Sequence, residues 1–249
     1  MIIDMHLHLS GTAFTQTRLD SGIGCLISNH LRYNERYLKV VQPSGNACAL
    51  YTDPTSLEFA DVLKSIKNGQ AISYSHIEHL NRTDLRKLDP LFSLSSDRGF
   101  PVILHLSHHD SKTFRAKDAA YALELITKFF PKLIVIVSHM GGENLREAIR
   151  WAQVNPNLLL DTSRLTETSQ RARMGCVQEV LQWVKETVPS NCILYGSDSI
   201  FPAWRDNKQN ELATIQQCFA NDDLDDILWK NALNLNLPNL DIDLSLSQN

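Results

Sequence analysis

Eight short β-rich runs recur along this chain of 249 residues, and helically spaced stretches separate most of them. The runs cover residues 2–8, 23–28, 46–52, 71–77, 101–107, 133–139, 157–161 and 192–198. The clearest helical stretches cover residues 117–130, 145–154, 177–188 and 222–233. Runs such as LIVIV are apolar throughout, which is typical of parallel strands covered by helices on both faces. The alternation therefore predicts an α/β fold.

The number of units indicates which α/β fold to expect. Eight strand–helix units in a chain of this size match a compact (β/α)8 TIM barrel, with an open doubly wound sheet as the alternative. Residues 9–22, only fourteen positions, join the first two runs, so we expect a shortened or missing first helix. Neither a linker nor a repeat interrupts the pattern, which predicts a single domain over residues 1–249.

The composition excludes several classes of partner. The net charge is −4 and no basic stripe is present, which argues against binding to nucleic acid or to an anionic membrane. The longest apolar runs are too short to span a bilayer. Five widely spaced cysteines without a C-x-x-C pair predict reduced thiols and a cytoplasmic protein. These cysteines are Cys25, Cys48, Cys176, Cys192 and Cys218.

Histidines and acids occur late in several of the β-rich runs. Alternate residues of a strand share a face, so Asp4, His6 and His8 point to one side of the first run. In a barrel this polar set faces the interior, close to the carboxyl end where barrel active sites lie. Three further candidates lie late in or at the end of other runs: His105, His139 and Asp198.

This convergence predicts a metal site. Any one of these histidines would be interpreted as a hydrogen-bonded core residue if it stood alone. Five groups at one rim would instead form a costly cluster of buried polar groups without a partner, and a divalent cation supplies that partner. Imidazole and carboxylate ligands suit Zn²⁺ best, with Mn²⁺, Fe²⁺ or Co²⁺ as alternatives. An open coordination position would make the site catalytic.

The ordered set of motifs resembles the amidohydrolase superfamily, in its amidohydrolase-related branch of metal-dependent hydrolases and decarboxylases. The resemblance is carried by D-x-H-x-H at residues 4–8, GFPVILH ending in His105, LIVIVSHMGG around His139, ILYGSDSIFP around Asp198 and the late Asn231-Ala232 pair. It implies that His6, His8, His105 and Asp198 coordinate the metal. His139 is then either a further ligand or, as we prefer, a base beside it.

One departure from that family bears on the number of metal ions. Many binuclear relatives carry a carboxylated lysine at the end of the fourth strand, whereas the corresponding segment here is QAISYSHIEH. The absence of lysine predicts one divalent cation. Glu78 or His76 could serve as an extra ligand, so this point stays open.

The resemblance implies a hydrolase that cleaves an amide, ester or lactone bond in a small molecule. Asp198 would combine metal binding with proton transfer, and His139 would orient the water or the developing oxyanion. A nonhydrolytic decarboxylase of an aromatic or unsaturated acid is the alternative, with Arg164 or Arg205 as a cationic clamp. His108 and Trp204 are further candidates for the pocket wall.

Two more interpretations remain open. The chain could be a metal-containing barrel that binds a ligand without catalysis, although none of the five positions is lost. A nuclease-like relative is less favoured, because GSD before SIFP fits the amidohydrolase-related pattern better. The sequence leaves a homo-oligomer open.

Overall fold

A computed structural model of the chain describes residues 1–9, 24–107, 116–201 and 209–241. Within these ranges, parallel strands form one sheet with the order β8-β7-β6-β5-β4-β3-β2-β1-β9. The strands are β1 (Asp4–Leu9), β2 (Gly24–Ile27), β3 (Ala47–Tyr51), β4 (Ile72–His76), β5 (Val102–His105), β6 (Val135–Val137), β7 (Leu158–Asp161), β8 (Ile193–Leu194) and β9 (Ser199–Phe201).

The sheet closes on itself through its last two strands. β8 pairs with β7, and four residues later β9 pairs with β1 in the register His8 to Ile200. Two further bonds bridge the interval, because Met5 N donates to Tyr195 O at 2.9 Å and Asp198 N donates to His6 O at 2.8 Å. β8 and β9 therefore act as one bent eighth strand. The predicted (β/α)8 barrel is confirmed, and the alternative of an open sheet is wrong.

Helices surround the barrel. They are α1 (Asn34–Val41), α2 (Phe59–Lys67), α3 (Arg82–Arg86), α4 (Asp89–Arg98), α5 (Ala116–Phe129), α6 (Leu145–Val154), α7 (Leu165–Arg171), α8 (Val177–Thr187), α9 (Gln209–Cys218), α10 (Asn221–Asp225) and α11 (Asn231–Leu233). α6 shows how they dock, because Leu145, Ala148, Ile149 and Ala152 repeat at helical spacing and are all buried. No helix in the described ranges is long and apolar enough to cross a bilayer.

A π-helical segment, Asp226–Lys230, joins α10 to α11 and is hydrogen-bonded to the barrel. Two carbonyl groups of this segment face the sheet: Ile227 O accepts from Tyr195 N at 2.9 Å, and Leu228 O accepts from Ile3 N at 2.8 Å. Asn231 adds side-chain bonds to Ser190 O and Ile193 O, both at 2.8 Å. The segment thus holds β1 and the end of β8, the two strands that close the barrel.

The predicted elements can be compared with those observed. Each of the eight β-rich runs contains a strand, and the four helical stretches correspond to α5, α6, α8 and the segment from α10 to α11. β9 was not predicted as a strand of its own. The predicted shortening of the first helix concerns residues 9–22, and all of these except Leu9, the last residue of β1, lie outside the described residues.

Candidate active site

The predicted site residues lie at the carboxyl ends of the barrel strands. His6 and His8 belong to β1, and His105 is the last residue of β5. His139 follows β6, and Asp198 lies between β8 and β9. His6, His105 and His139 are buried, whereas His8 and Asp198 are partly exposed. The interior of the barrel mouth is therefore polar, as the alternation in β1 predicts.

Three of these side chains, His6, His8 and Asp198, form a tight group. Asp198 Oδ1 lies 3.0 Å from His8 Nε2 and 3.4 Å from His6 Nε2. This group is one of three sets among the described residues in which all potential metal-ligand atoms lie within 4.8 Å of one another. His6 Nε2 is buried and has no hydrogen-bond partner in the described part of the chain.

Hydrogen bonds on the far side of each ring define the protonation of the two histidines. His8 Nδ1 lies 2.8 Å from the carbonyl oxygen of Ile27, which can only accept, so Nδ1 carries the proton. His6 Nδ1 likewise donates to Asp161 Oδ2 at 2.9 Å. In the neutral form, each ring therefore turns the lone pair of Nε2 toward the carboxylate of Asp198.

The arrangement fits a divalent cation. Two imidazole lone pairs and a carboxylate oxygen repel one another unless a proton or a metal ion lies between them. Tetrahedral zinc with ligands at about 2.0–2.1 Å separates its ligand atoms by about 3.3 Å, close to the spacing found here. Buried partners for Nδ1 are also typical of metal-binding histidines.

His105 belongs to a neighbouring group with Glu78 and His76. Glu78 Oε1 accepts from His105 Nδ1 at 2.8 Å and from His76 Nδ1 at 2.6 Å. Burial alone would raise the pKa of Glu78, but these hydrogen bonds lower it to about 2. Burial also lowers the pKa of His105 to about 4, despite the opposing effect of Glu78. His105 is thus a neutral imidazole whose Nδ1 is already bound.

The two groups meet at His139. Its ring centroid lies 4.8 Å from that of His6 and 5.0 Å from that of His105. Burial, together with the neighbouring imidazoles, lowers the pKa of His139 well below its usual value. The structure therefore brings His105 and His139 to the same part of the barrel mouth as His6. The ligand atoms of His105, however, do not fall within the tight group.

Two residues at and just after the end of β7, which sequence reasoning missed, hydrogen-bond to His6 and His139. Asp161 and Ser163 are fully buried. Asp161 Oδ2 accepts from His6 Nδ1, and Asp161 Oδ1 accepts from the backbone N–H groups of His139 at 2.9 Å and Ser163 at 3.0 Å. Ser163 Oγ lies 2.7 Å from His139 Nδ1. The position of Asp161 at a strand end was the only available signal in the sequence.

The pKa values of His6 and Asp198 are shifted in opposite directions. Burial alone would lower the pKa of His6, but the charge of Asp161 and the bond to it outweigh burial and raise this pKa. Burial would raise the pKa of Asp198, yet the contact with His8 and the charge of His6 lower it well below the usual range. Asp198 is therefore an ionised carboxylate, which is the form that binds a cation.

Several site residues adopt left-handed backbone conformations. The φ angles are 56° at His139, 55° at Arg164 and 55° at Asp198. A residue with a Cβ enters this region at an energetic cost, which the surrounding hydrogen bonds must offset. Each of the three follows a barrel strand closely, so the strained backbone directs these side chains into the mouth.

Arg164 lies beside the tight group. Its Nε is 3.1 Å from Asp198 Oδ2, and the guanidinium also pairs with Glu167. The side chain is partly exposed. Through its contact with Asp198, Arg164 is the one predicted pocket residue among the described residues that reaches the site. The other two, His108 and Trp204, and the alternative clamp Arg205 lie outside the described residues.

Comparisons with known proteins agree with this architecture. Dihydroorotase from Campylobacter jejuni superposes with a TM-score of 0.63 at 18% identity, covering 92% of this chain and 81% of that one. Amidohydrolase 2 from Bifidobacterium longum subsp. infantis gives 0.55 at 15% identity, over 93% and 96% of the two chains. 4-Oxalomesaconate hydratase from Rhodopseudomonas palustris gives 0.58 at 15% identity, over 99% and 98%.

At these identities the structural likeness shows the fold. In sequence, no curated protein matches the chain significantly. The profile of the amidohydrolase family, in contrast, matches residues 71–235, about two thirds of the chain. That segment contains His105, His139 and Asp198. The D-x-H-x-H motif precedes it in sequence and lies on β1, which pairs with β9 to close the same barrel. The chain belongs to the amidohydrolase family.

Proposed function

We propose that this chain is a metal-dependent hydrolase that cleaves an amide, ester or lactone bond of a small molecule. The observation that carries the proposal is the convergence of His6 Nε2 and His8 Nε2 on Asp198 Oδ1, at 3.4 Å and 3.0 Å. One divalent cation, with Zn²⁺ favoured, satisfies this set. We propose His105, the last residue of β5, as the fourth ligand.

When bound at such a site, a divalent cation polarises a carbonyl oxygen and lowers the pKa of water toward neutrality. The chain's own groups then supply proton transfer. Asp198 and His139 are suited to take the proton of the attacking water and to return it to the leaving group, because Asp198 is an ionised carboxylate and His139 is a neutral imidazole.

Arg164 is proposed to bind the substrate. Its guanidinium lies at the partly exposed edge of the cavity and fixes Asp198 Oδ2, which leaves Oδ1 to the metal. A planar guanidinium matches a carboxylate or another oxyanion group. This contact also favours the second candidate function, a nonhydrolytic decarboxylase in which Arg164 holds the carboxylate that is lost.

Metal analysis of the purified, reconstituted protein tests the proposal. We expect close to one equivalent of divalent cation, lost in His6→Ala and in Asp198→Ala. His30→Ala is the matched control, because His30 is exposed and lies on another loop. A protein that folds normally and binds no cation would refute the metal site.

A substrate panel tests the reaction. Water-dependent cleavage of amides, esters or lactones supports the hydrolase, whereas CO₂ release from unsaturated or aromatic acids supports the decarboxylase. Stoichiometric metal without turnover across both panels would contradict both and favour a binding barrel. His139→Ala should keep the metal and lose turnover, and loss of metal instead would make His139 a ligand.

A further inference from the structure

A buried chain of hydrogen bonds connects Asp161 through Ser163 to His139. Ser163 Oγ contacts Asp161 Oδ1 on one side and lies 2.7 Å from His139 Nδ1 on the other. All three side chains are buried, so water does not compete strongly for these bonds. The chain lies directly beside His6, whose Nδ1 binds the other oxygen of the same carboxylate.

The direction of each bond follows from the groups present. Asp161 Oδ1 accepts the backbone N–H groups of His139 and Ser163, and Oδ2 accepts Nδ1–H of His6, so the carboxylate acts only as an acceptor. The single hydroxyl proton of Ser163 must therefore point to Asp161. Toward His139, the oxygen of Ser163 can then only accept.

We infer that Asp161 and Ser163 are positioning residues that hold neutral His139 as the Nδ1–H tautomer, with the lone pair of Nε2 directed into the cavity. This inference rests on the proposed function for its catalytic meaning. In this tautomer His139 accepts a proton at Nε2. It does not donate a hydrogen bond from Nε2 to an oxyanion. Of the two roles that the sequence suggested, orienting the water and stabilising the developing oxyanion, the second is therefore removed.

The backbone of His139 fixes the ring in the same direction. Its N–H donates to Asp161, and its carbonyl oxygen accepts from Thr168 Oγ1 at 3.0 Å. These two bonds hold the left-handed conformation of the residue, with φ at 56°. The ring cannot exchange its Nδ1 and Nε2 edges without breaking the bond to Ser163.

The same carboxylate serves His6 and His139 together. One aspartate thereby sets the tautomer of a proposed metal ligand directly and that of the proposed base through a serine. Both imidazoles present an Nε2 lone pair to the cavity. The relay through Ser163 is the part that acts on His139 alone, because Ser163 Oγ lies 3.4 Å from His6 Nδ1 and that nitrogen is already bound to Asp161.

Nitrogen NMR of the metal-free protein tests the tautomer without substrate. Long-range ¹H–¹⁵N correlations of ¹⁵N-histidine-labelled protein are recorded at pH 8, above the ordinary pKa of histidine of about 6.5. His139→Gln assigns the ring by loss of its signals. We expect Nδ1–H for His139 in the wild type and a shift of the population toward Nε2–H in Ser163→Ala. An Nε2–H ring in the wild type, or an unchanged ring in Ser163→Ala, would overturn the inference.

Kinetics on the metal-loaded enzyme form the second arm. Ser163→Ala should lower kcat by about 10- to 100-fold with unchanged metal content, while KM changes by about twofold at most. Ser163→Thr, which keeps the hydroxyl, should recover most of the activity. Ser73→Ala is the control, because Ser73 is an equally buried serine whose hydroxyl has no hydrogen-bond partner in the described residues.

The two arms separate this inference from the proposed function. A wild-type kcat in Ser163→Ala would overturn the positioning role. If no substrate is turned over at all, the proposed function fails, and the NMR measurement still decides the tautomer.

Discussion

Replacing Asp161 by asparagine tests how the proposed metal ligand His6 is oriented. Oδ1 of Asp161 receives two backbone N–H groups and the hydroxyl of Ser163. Among the described residues, Oδ2 receives only Nδ1–H of His6. In Asp161→Asn the remaining oxygen should stay on the side with more donors. The new amide group then points its N–H at His6 Nδ1, which must give up its proton to accept.

The expected loss of metal affinity follows from this exchange of donor and acceptor between residue 161 and His6. His6 would shift to the Nε2–H tautomer, and Nε2 is the atom that faces Asp198. A metal ion must displace that proton before it binds. Removing the hydrogen-bond partner of a metal-binding histidine typically lowers metal affinity about 10- to 100-fold, or by about 1.4–2.8 kcal/mol.

Competition with a chromophoric chelator measures this affinity in wild-type and variant protein. Asp89→Asn is the matched control, because Asp89 is a partly exposed residue at the start of α4 that pairs with Arg86, and its replacement should leave affinity unchanged. Circular dichroism checks that the barrel is intact. A metal affinity of Asp161→Asn within about twofold of wild type would refute the reasoning that Asp161 sets the state of His6.

Three further predictions concern the substrate, pH and backbone. Arg164→Ala should raise KM for an anionic substrate about 10- to 100-fold and keep the metal, because a charge-assisted bond is lost; lost metal with unchanged KM would contradict this. Burial raises the pKa of Asp4 to about 7 from 3.8, so the free energy of unfolding of metal-free protein should fall as pH rises from 4 to 7. Asp4→Asn should remove about 4 kcal/mol of this dependence in urea titrations, and an unchanged pH profile would disprove it. Gly142→Ala should lower Tm more than Gly69→Ala, since both have positive φ but only at Gly142 would a Cβ lie 2.4 Å from Ser107 Cβ; equal shifts would contradict the clash.

The fold was predictable because strong local patterns determine it. Continuous apolar runs such as β6 and amphipathic stretches such as α6 are decided by neighbouring residues. The eighth strand was only partly predictable. It is interrupted between β8 and β9, where Asp198 has a φ of 55°. Gly196 in this interruption packs so closely on His6, 190 positions away in sequence, that a Cβ would lie 3.0 Å from His6 Cβ.

The candidate site was predictable to the extent that strand ends define it. Because active sites of barrels lie at the carboxyl ends of the strands, the sequence placed His6, His8 and Asp198 at one end of the barrel. Their side chains do converge there. This rule could not reveal what Asp161 and Ser163 do, because their bonds to His6 and His139 join positions far apart in sequence. The rule also could not separate His105 from the tight group, since register alone does not show which ring nitrogen is already bound.

Glu78 bears on how many cations the site holds. His76 and His105 are paired in the register of β4 and β5, and both donate Nδ1–H to the same oxygen of Glu78. A second cation at this group would have to break two short hydrogen bonds to an ionised carboxylate, and Glu78 Oε2 would be the one oxygen left to compensate. Directly after β4, this chain therefore uses a carboxylate as an acceptor for two imidazoles. That arrangement favours the proposed single cation beside His6 and His8, because Glu78 already holds Nδ1 of both His76 and His105 and Ser107 Oγ lies 3.3 Å from His105 Nε2.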